Sequence, residues 1–179
     1  MPQVRRPIPP LDTAALERLA LRYVERFATT RGRLASYLKR KIRERGWDEG
    51  TSPPEPEALA EKLARLGYVD DRAFAEARAL AMGRRGLGAR RVTQTLRFDG
   101  IGEDDARAVA PVIEADVTAS ALAFARRKRI GPYARELADP KGRERQVAAM
   151  VRAGHAPALA WKIARMAPGD DAETLLDGA

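Results

Sequence analysis

The sequence predicts an all-α protein built as three tandem three-helix repeats, stacked into an elongated, curved array. Two observations carry that expectation. Apolar residues recur at three- and four-residue spacing along most of the chain, and no useful stretch alternates with the two-residue period of a strand. Three glycines, Gly46, Gly100 and Gly154, also stand at a constant interval of 54 residues, each closing a helical stripe. Four residues before them come Ile42, Leu96 and Met150, and one residue after them Trp47, Ile101 and His155. A fixed period of this length marks a repeated supersecondary unit. One three-helix unit buries too little surface to be strongly stable alone, and stacking adds interface burial.

The first fifteen residues read as a mobile arm, since four of the first ten are proline and cannot continue a helix. Repeat one spans 16–69. Leu16, Leu19, Tyr23 and Phe27 form its first stripe and Leu34, Leu38 and Ile42 its second, which Gly46 ends as a left-handed C-terminal residue. Ser52 is then expected to cap a third helix, with proline in its first turn and Glu55 at the capping-box position. That helix carries Leu59, Leu63 and Leu66 and stops at Gly67.

Repeat two spans 70–115. It opens on Asp70 and Asp71, good N-caps whose charge suits the helix dipole. Phe74, Ala77 and Leu80 are its expected first stripe, and Gly83, Gly86 and Gly88 break the chain. Val92 and Leu96 lead to Gly100, and Val109, Val112 and Ile113 mark the third helix. Repeat three spans 116–167 and is less regular. Its first helix covers about 117–129 and breaks at Gly131-Pro132. A stretch around 133–139 has no counterpart in repeat two, and the apolar position eight residues before the glycine is Gln146. Pro157 opens a last helix with Leu159, Ile163 and Met166, and 168–179 reads as a frayed acidic tail with Asp170, Asp171, Glu173 and Asp177.

Composition narrows the function classes. With 45% hydrophobic residues the chain has material for a core, and its net charge of +8 points to a polyanion or an acidic protein surface as partner. Of the 33 basic residues 27 are Arg, whose planar fork suits phosphate and carboxylate, although a GC-rich genome would also favour Arg over Lys. The absence of cysteine excludes disulfide and thiolate chemistry. No signal-peptide run and no membrane-length apolar run occur, so a soluble cytoplasmic monomer is expected.

Catalytic signals are weak. His155 is the only histidine and reads as a packing or capping residue; with no cysteine beside it, a metal site is not expected. Glu103-Asp104-Asp105 sits where helix capping explains it. The string Gly83-Arg84-Arg85-Gly86-Leu87-Gly88 follows a helix rather than a strand and lacks a Gly-Lys-Ser/Thr ending, so a tight turn is the better reading than a nucleotide loop. No enzyme and no cofactor are expected.

Basic surface is the stronger signal. Residues 31–45 hold seven cations and one acid, and 84–97 hold five cations and no acid. With Leu38 and Ile42 inward, Lys39, Lys41 and Arg45 should point outward, and the repeat could align such helices into one basic strip. Aromatics do not interleave these runs, which argues against a stacking platform for single strands. The candidate contact residues are Lys39, Lys41, Arg84, Arg85, Arg90, Arg91, Arg97, Arg126, Arg127 and Arg129.

The string Leu66-Gly67-Tyr68-Val69-Asp70-Asp71-Arg72-Ala73-Phe74-Ala75, continued by Arg85-Gly86-Leu87-Gly88-Ala89-Arg90-Arg91-Val92, Leu96 and Gly100-Ile101, resembles the RecX family of bacterial recombination regulators. The likeness covers about 16–166. It implies tandem three-helix repeats and a non-enzymatic regulator, usually an inhibitor, of the RecA recombinase. Family members lie in the groove of the RecA–DNA filament and hinder ATP hydrolysis, strand exchange and co-protease activity. The chain departs from the pattern at Gly88-Ala89, where Gly-Pro is common, in a proline-rich insertion at 49–57, and in extra residues before the second helix of repeat three. The competing reading is a stand-alone helical protein that meets DNA phosphates, weakly and without sequence specificity.

Overall fold

The computed structural model describes residues 9–176, and all of its regular structure is helical: nine α-helices and two short 3₁₀ turns among those residues. The chain divides into two compact units. One takes the residues up to Phe74 together with Asp99–Ile101, and the other takes Ala75–Phe98 and everything from Gly102 onward.

The N-terminal unit holds α1 (Thr13–Arg26), α2 (Arg31–Arg45) and α3 (Pro56–Arg65). Asp12 caps α1 by accepting from the Ala15 N–H at 2.6 Å, and Thr30 caps α2 by accepting from the Arg33 N–H at 3.1 Å. Leu16, Ala20, Leu34, Ala35, Leu38, Ala60, Leu63 and Val69 make the core, and Leu11 joins it fully buried. Leu11 therefore corrects the expected mobile arm over 1–15. Its N–H donates to Gly46 O at 3.0 Å, and its carbonyl accepts from the Asp48 N–H at 2.9 Å, a short parallel bridge to Trp47. The earlier part of that arm, residues 1–8, lies outside the described residues.

The expected Ser52 cap is also corrected. Helix α3 begins at Pro56, with Glu55 before it and no side-chain cap. Residues that precede proline disfavour the helical region, so Ser52, Pro53 and Glu55, each followed by proline, hold the chain extended until Pro56 takes the first helical position. Ser52 instead gives its carbonyl to Trp47 Nε1 at 3.1 Å.

Helix α4 (Asp71–Arg84) begins in this unit, where Asp70 caps it by accepting from the Ala73 N–H at 2.9 Å. Its buried residues farther on are Ala75, Ala79 and Met82, whereas Ala77 and Leu80 are exposed and Phe74 half-buried, so the buried stripe differs from the one expected. Gly83 does not break the helix. A Cβ there would lie 1.8 Å from Asp116 Oδ2, so glycine is what lets that carboxylate sit against the helix.

The C-terminal unit continues through α5 (Ala89–Phe98), α6 (Glu103–Ala115), α7 (Val117–Lys128), a 3₁₀ turn at Gly131–Tyr133, α8 (Pro140–Arg152) and α9 (Pro157–Ala164). The acids Glu103, Asp104 and Asp105 fill the first turn of α6, where the dipole favours them, but Gly102 holds the cap position without a side-chain bond. Ala121, Leu122, Phe124, Ala125, Ile130, Val147, Met150, Ala160 and Ile163 form the core. Ala172 and Leu175 complete it from a 3₁₀ turn at Ala172–Leu175, opened by Asp171 accepting from the Glu173 N–H at 2.9 Å. The tail is thus anchored rather than frayed, because two apolar residues among the acids reach the core; Asp177 lies outside the described residues.

Two of the equally spaced glycines are docking points. In the N-terminal unit, Thr30 Oγ1 donates to Asp99 O at 2.5 Å, and a Cβ on Gly100 would stand 2.9 Å from Gly32 Cα. In the C-terminal unit, the Gly88 N–H donates to Ala153 O at 2.9 Å and the Arg90 N–H to Gly154 O at 3.2 Å. A Cβ on Gly154 would stand 2.5 Å from Arg91 N. Each contact sets the start of one second helix on the glycine turn that follows the next one. Gly46 shares their positive φ, +81°, but has nothing within 4 Å of its would-be Cβ.

His155, just after Gly154, is 4% exposed. Its Nε2–H donates to Gly86 O at 3.0 Å, and its ring meets the Phe124 ring edge-on at 5.6 Å. Burial lowers its pKa below the ordinary value, against the opposing pull of the Gly86 carbonyl, so folding favours the neutral imidazole.

Gly46 does not take the expected left-handed conformation: at φ +81° and ψ 167° it lies in a region essentially reserved for glycine, so Gly46→Ala incurs a backbone cost of about 2 kcal/mol and lowers the thermal midpoint by about 5 °C. Gly154→Ala adds overlap with backbone atoms and lowers it by about 10 °C in the same calorimetric series. Equal shifts for the two variants would remove the docking role. For His155, the unfolded chain binds a proton below about pH 6.5 more readily than the folded chain does. Stability therefore falls as pH drops from 7.5 to 5.5, and His155→Gln flattens that slope in denaturant titrations at the two pH values.

Candidate functional site

Helix α5 turns its apolar residues Val92 and Leu96 inward and leaves Arg90, Arg91, Gln94, Arg97 and Phe98 exposed. At 100° per residue those five fall on one face of the helix. The start of α5 is fixed against the α8–α9 turn by the Gly88 and Arg90 amides, which places Arg90, Arg91 and Gln94 beside Val151, Arg152 and Gly154 around a shallow groove of about 260 Å³. Arg90, Thr93, Gln94 and Arg97 line the next groove along the helix. Neither groove has a carboxylate in its wall, and among the described residues no acid pairs with Arg90, Arg91, Arg97 or Arg152. Four guanidinium groups thus gather with nothing to neutralise them.

The cations of α2 are arranged differently. Arg31 bridges to Glu61 at 3.1 Å and to the buried Asp71 at 3.0 Å, and Arg33 reaches the buried Asp99 at 2.5 Å. Lys39 pairs with Glu57, and Glu44 takes Lys41 at 2.6 Å and Arg40 at 3.6 Å. The hydrogen bond from Lys41 holds the Glu44 carboxyl below its ordinary pKa, and the one from Lys39 does the same for Glu57. Arg45 donates through Nη2 to Pro9 O at 2.8 Å and is only half-exposed, as is Lys41, which corrects the expectation that both point outward. The run looks more basic in sequence than it is in space, because Glu57, Glu61, Asp71 and Asp99, from α3, α4 and the segment after α5, join Glu44 of the run itself in neutralising it.

Arg84, Arg85, Arg126, Arg127 and Arg129 form another exposed group in the C-terminal unit. Arg127 Nη1 donates to the Arg85 carbonyl and stacks over Phe124 at 5.5 Å, while Arg126 lies over Tyr133 at 5.1 Å. Arg129 ends α7 in the left-handed region, at φ +55°. Beside Arg84, burial pushes the Asp116 carboxyl up from its ordinary value, and the Arg84 charge acts the other way. This group is therefore partly engaged in local contacts, unlike the α5 face.

The glycine turn before α5 cannot cradle a phosphate. The N–H groups of Arg85, Gly86, Leu87, Gly88, Arg90, Arg91 and Val92 all donate to protein carbonyls. Among the described residues no three His, Cys, Asp or Glu side chains converge as a metal site. No single described helix is long and apolar enough to cross a membrane. Sequence reasoning missed Gln94, Phe98 and Arg152. A wheel of α5 carried one residue past Arg97 places Phe98 beside the arginines, but Arg152 joins them only through the glycine docking.

No protein-family model matches the chain. Among curated proteins, the regulatory protein RecX of Myxococcus xanthus is 34% identical over 155 residues, 83% of each chain. The regulatory protein RecX of Agrobacterium fabrum is 29% identical over 164 residues, covering 89% of this chain and 86% of the relative. A crystal structure of a regulatory protein RecX shares the fold, with a TM-score of 0.56 at 23% identity over 86% of this chain and 73% of the other.

Proposed function

Because the chain belongs to the RecX family of regulatory proteins, we propose that it regulates the RecA recombinase by binding the RecA–DNA filament, without chemistry of its own. The observation that carries the reading is the α5 face, where Arg90, Arg91 and Arg97 stand with Arg152 and no opposing carboxylate. Unneutralised guanidinium groups suit acidic protein surface or DNA phosphate, and desolvating them without an anion would be costly. The mode of action is steric. A helical body lying in the filament groove hinders ATP hydrolysis, strand exchange and co-protease activity by occupying the space those steps need.

In this reading the three repeats, 16–69, 70–115 and 116–167, are the units that follow the filament, and the protein acts as a cytoplasmic monomer. Lys39 and Lys41 contribute little, since their charges are already met by Glu57 and Glu44. The arginines at the α4 and α7 ends form a secondary contact. A stand-alone DNA binder would use the same α5 face and is separated by the test below.

RecA ATPase on single-stranded DNA, titrated with this protein, decides the matter. The wild type lowers the rate at stoichiometric concentration. Arg90→Glu with Arg91→Glu raises the half-inhibitory concentration by about ten-fold or more with helicity unchanged, whereas Lys39→Ala with Lys41→Ala stays within about two-fold. No effect of the wild type on the ATPase, beside tight and salt-sensitive binding to bare DNA, would overturn the regulatory reading in favour of the DNA binder.

A further inference from the structure

Phe98 is 89% exposed, whereas the other exposed large apolar residues lie between 44% and 61%. It closes α5 one turn beyond Gln94, on the face that carries Arg90, Arg91 and Arg97. Isolated exposed apolar residues are ordinary on protein surfaces. Here, however, the aromatic ring stands at the end of a cationic groove and no aromatic or arginine stack involving it occurs among the described residues, although Phe124 and Phe74 each have such a partner.

We infer that the outer face of α5 is a contact for single-stranded nucleic acid, in which Phe98 stacks on an unpaired base while Arg90, Arg97 and Arg152 hold the adjoining phosphates. The inference rests on the reading of the α5 face as the partner-contacting surface and names its partner. From Arg90 to Arg97 the helix rises roughly 10 Å, a length that about three successive phosphates of one strand cover. Gln94, between them, adds an amide that can donate and accept along a base edge. A cationic groove joined to an aromatic ring is the combination that retains single strands without sequence preference, because every base has a π-face. Duplex DNA offers that ring no open base without the cost of unstacking a step. An acidic protein groove would satisfy the arginines but gives no reason for a ring held almost wholly in water.

The sequence argued against such a platform because no aromatic interleaves the basic runs. On the helix surface Phe98 does interleave, lying within one turn of Gln94 and Arg97.

Fluorescence anisotropy of the full chain with a labelled oligothymidylate and with an abasic strand of equal length tests the inference. Phe98→Ala weakens oligothymidylate binding by about five- to ten-fold, leaves the dependence on salt unchanged, and leaves abasic binding unaltered. Phe98→Trp restores the wild-type affinity. Arg152→Ala weakens both strands and lowers the salt slope by about 0.7, one phosphate's share. Wild-type affinity in Phe98→Ala, or an equal loss on both strands, overturns the stacking contact. A Phe98→Ala protein that binds the strand normally but no longer inhibits RecA overturns it too, by making Phe98 a protein contact. If the wild type shows the stacking signature and yet leaves the RecA ATPase untouched, the strand contact is supported and the regulatory reading falls.

Discussion

The structure depends on backbone meeting backbone at glycine turns. At Gly100 and Gly154 the chain turns with positive φ while another helix start presses on the same atoms, so neither the conformation nor the space admits a Cβ. The partners are also glycines, Gly32 and Gly88, and the approach between the two backbone segments is correspondingly close. Hydrogen bonds to Asp99 O and Ala153 O fix each contact in register. Such contacts are directional where apolar packing is not, and they allow helices as small as the ten-residue α5 to be placed with a defined face outward.

That placement gives the charge pattern its meaning. Five of the seven cations of α2 are matched by carboxylates, from Glu44 on the same helix and from three other segments, whereas those of α5 meet the basic end of α8. Exposed ion pairs contribute about 0–1 kcal/mol each, so the matching on α2 matters less for stability than for what it removes from the surface. The unmatched arginines on α5 repel one another, and an incoming anion relieves that repulsion. Binding through this face should weaken as salt screens it, since the guanidinium groups lie in water.

Much of this was legible in the sequence. The helices, the positive-φ stops at Gly46, Gly67, Gly100 and Gly154, and the Asp70 cap follow from periodicity and from residues with narrow conformational preferences. The sequence misleads where tertiary contacts outweigh local preference. Leu11 is a core residue because a bridge to Trp47 draws it in, and Ala172 and Leu175 are buried despite their acidic neighbours. Ser52 loses the cap position to a run of prolines. The buried stripe of α4 consists of small residues, Ala75 and Ala79, which hydrophobicity alone ranks below Phe74 and Leu80. The site was half legible. Arg90, Arg91 and Arg97 could be read from charge density, but neutralisation of Lys39 by Glu57 and the approach of Arg152 require the fold.

The proposed regulatory role requires that the α5 face be covered when the protein meets its partner. Hydroxyl-radical footprinting of the protein, free and on the RecA–single-stranded DNA filament, reads this at side-chain level, and Phe98 is a fully accessible reporter in the free state. Strong protection of Phe98 in the complex is the predicted result. Oxidation of Phe98 at the same rate in both states would contradict it, because Phe98 shares the face of α5 that carries Arg90, Arg91 and Arg97, and a partner that covers this face covers the ring.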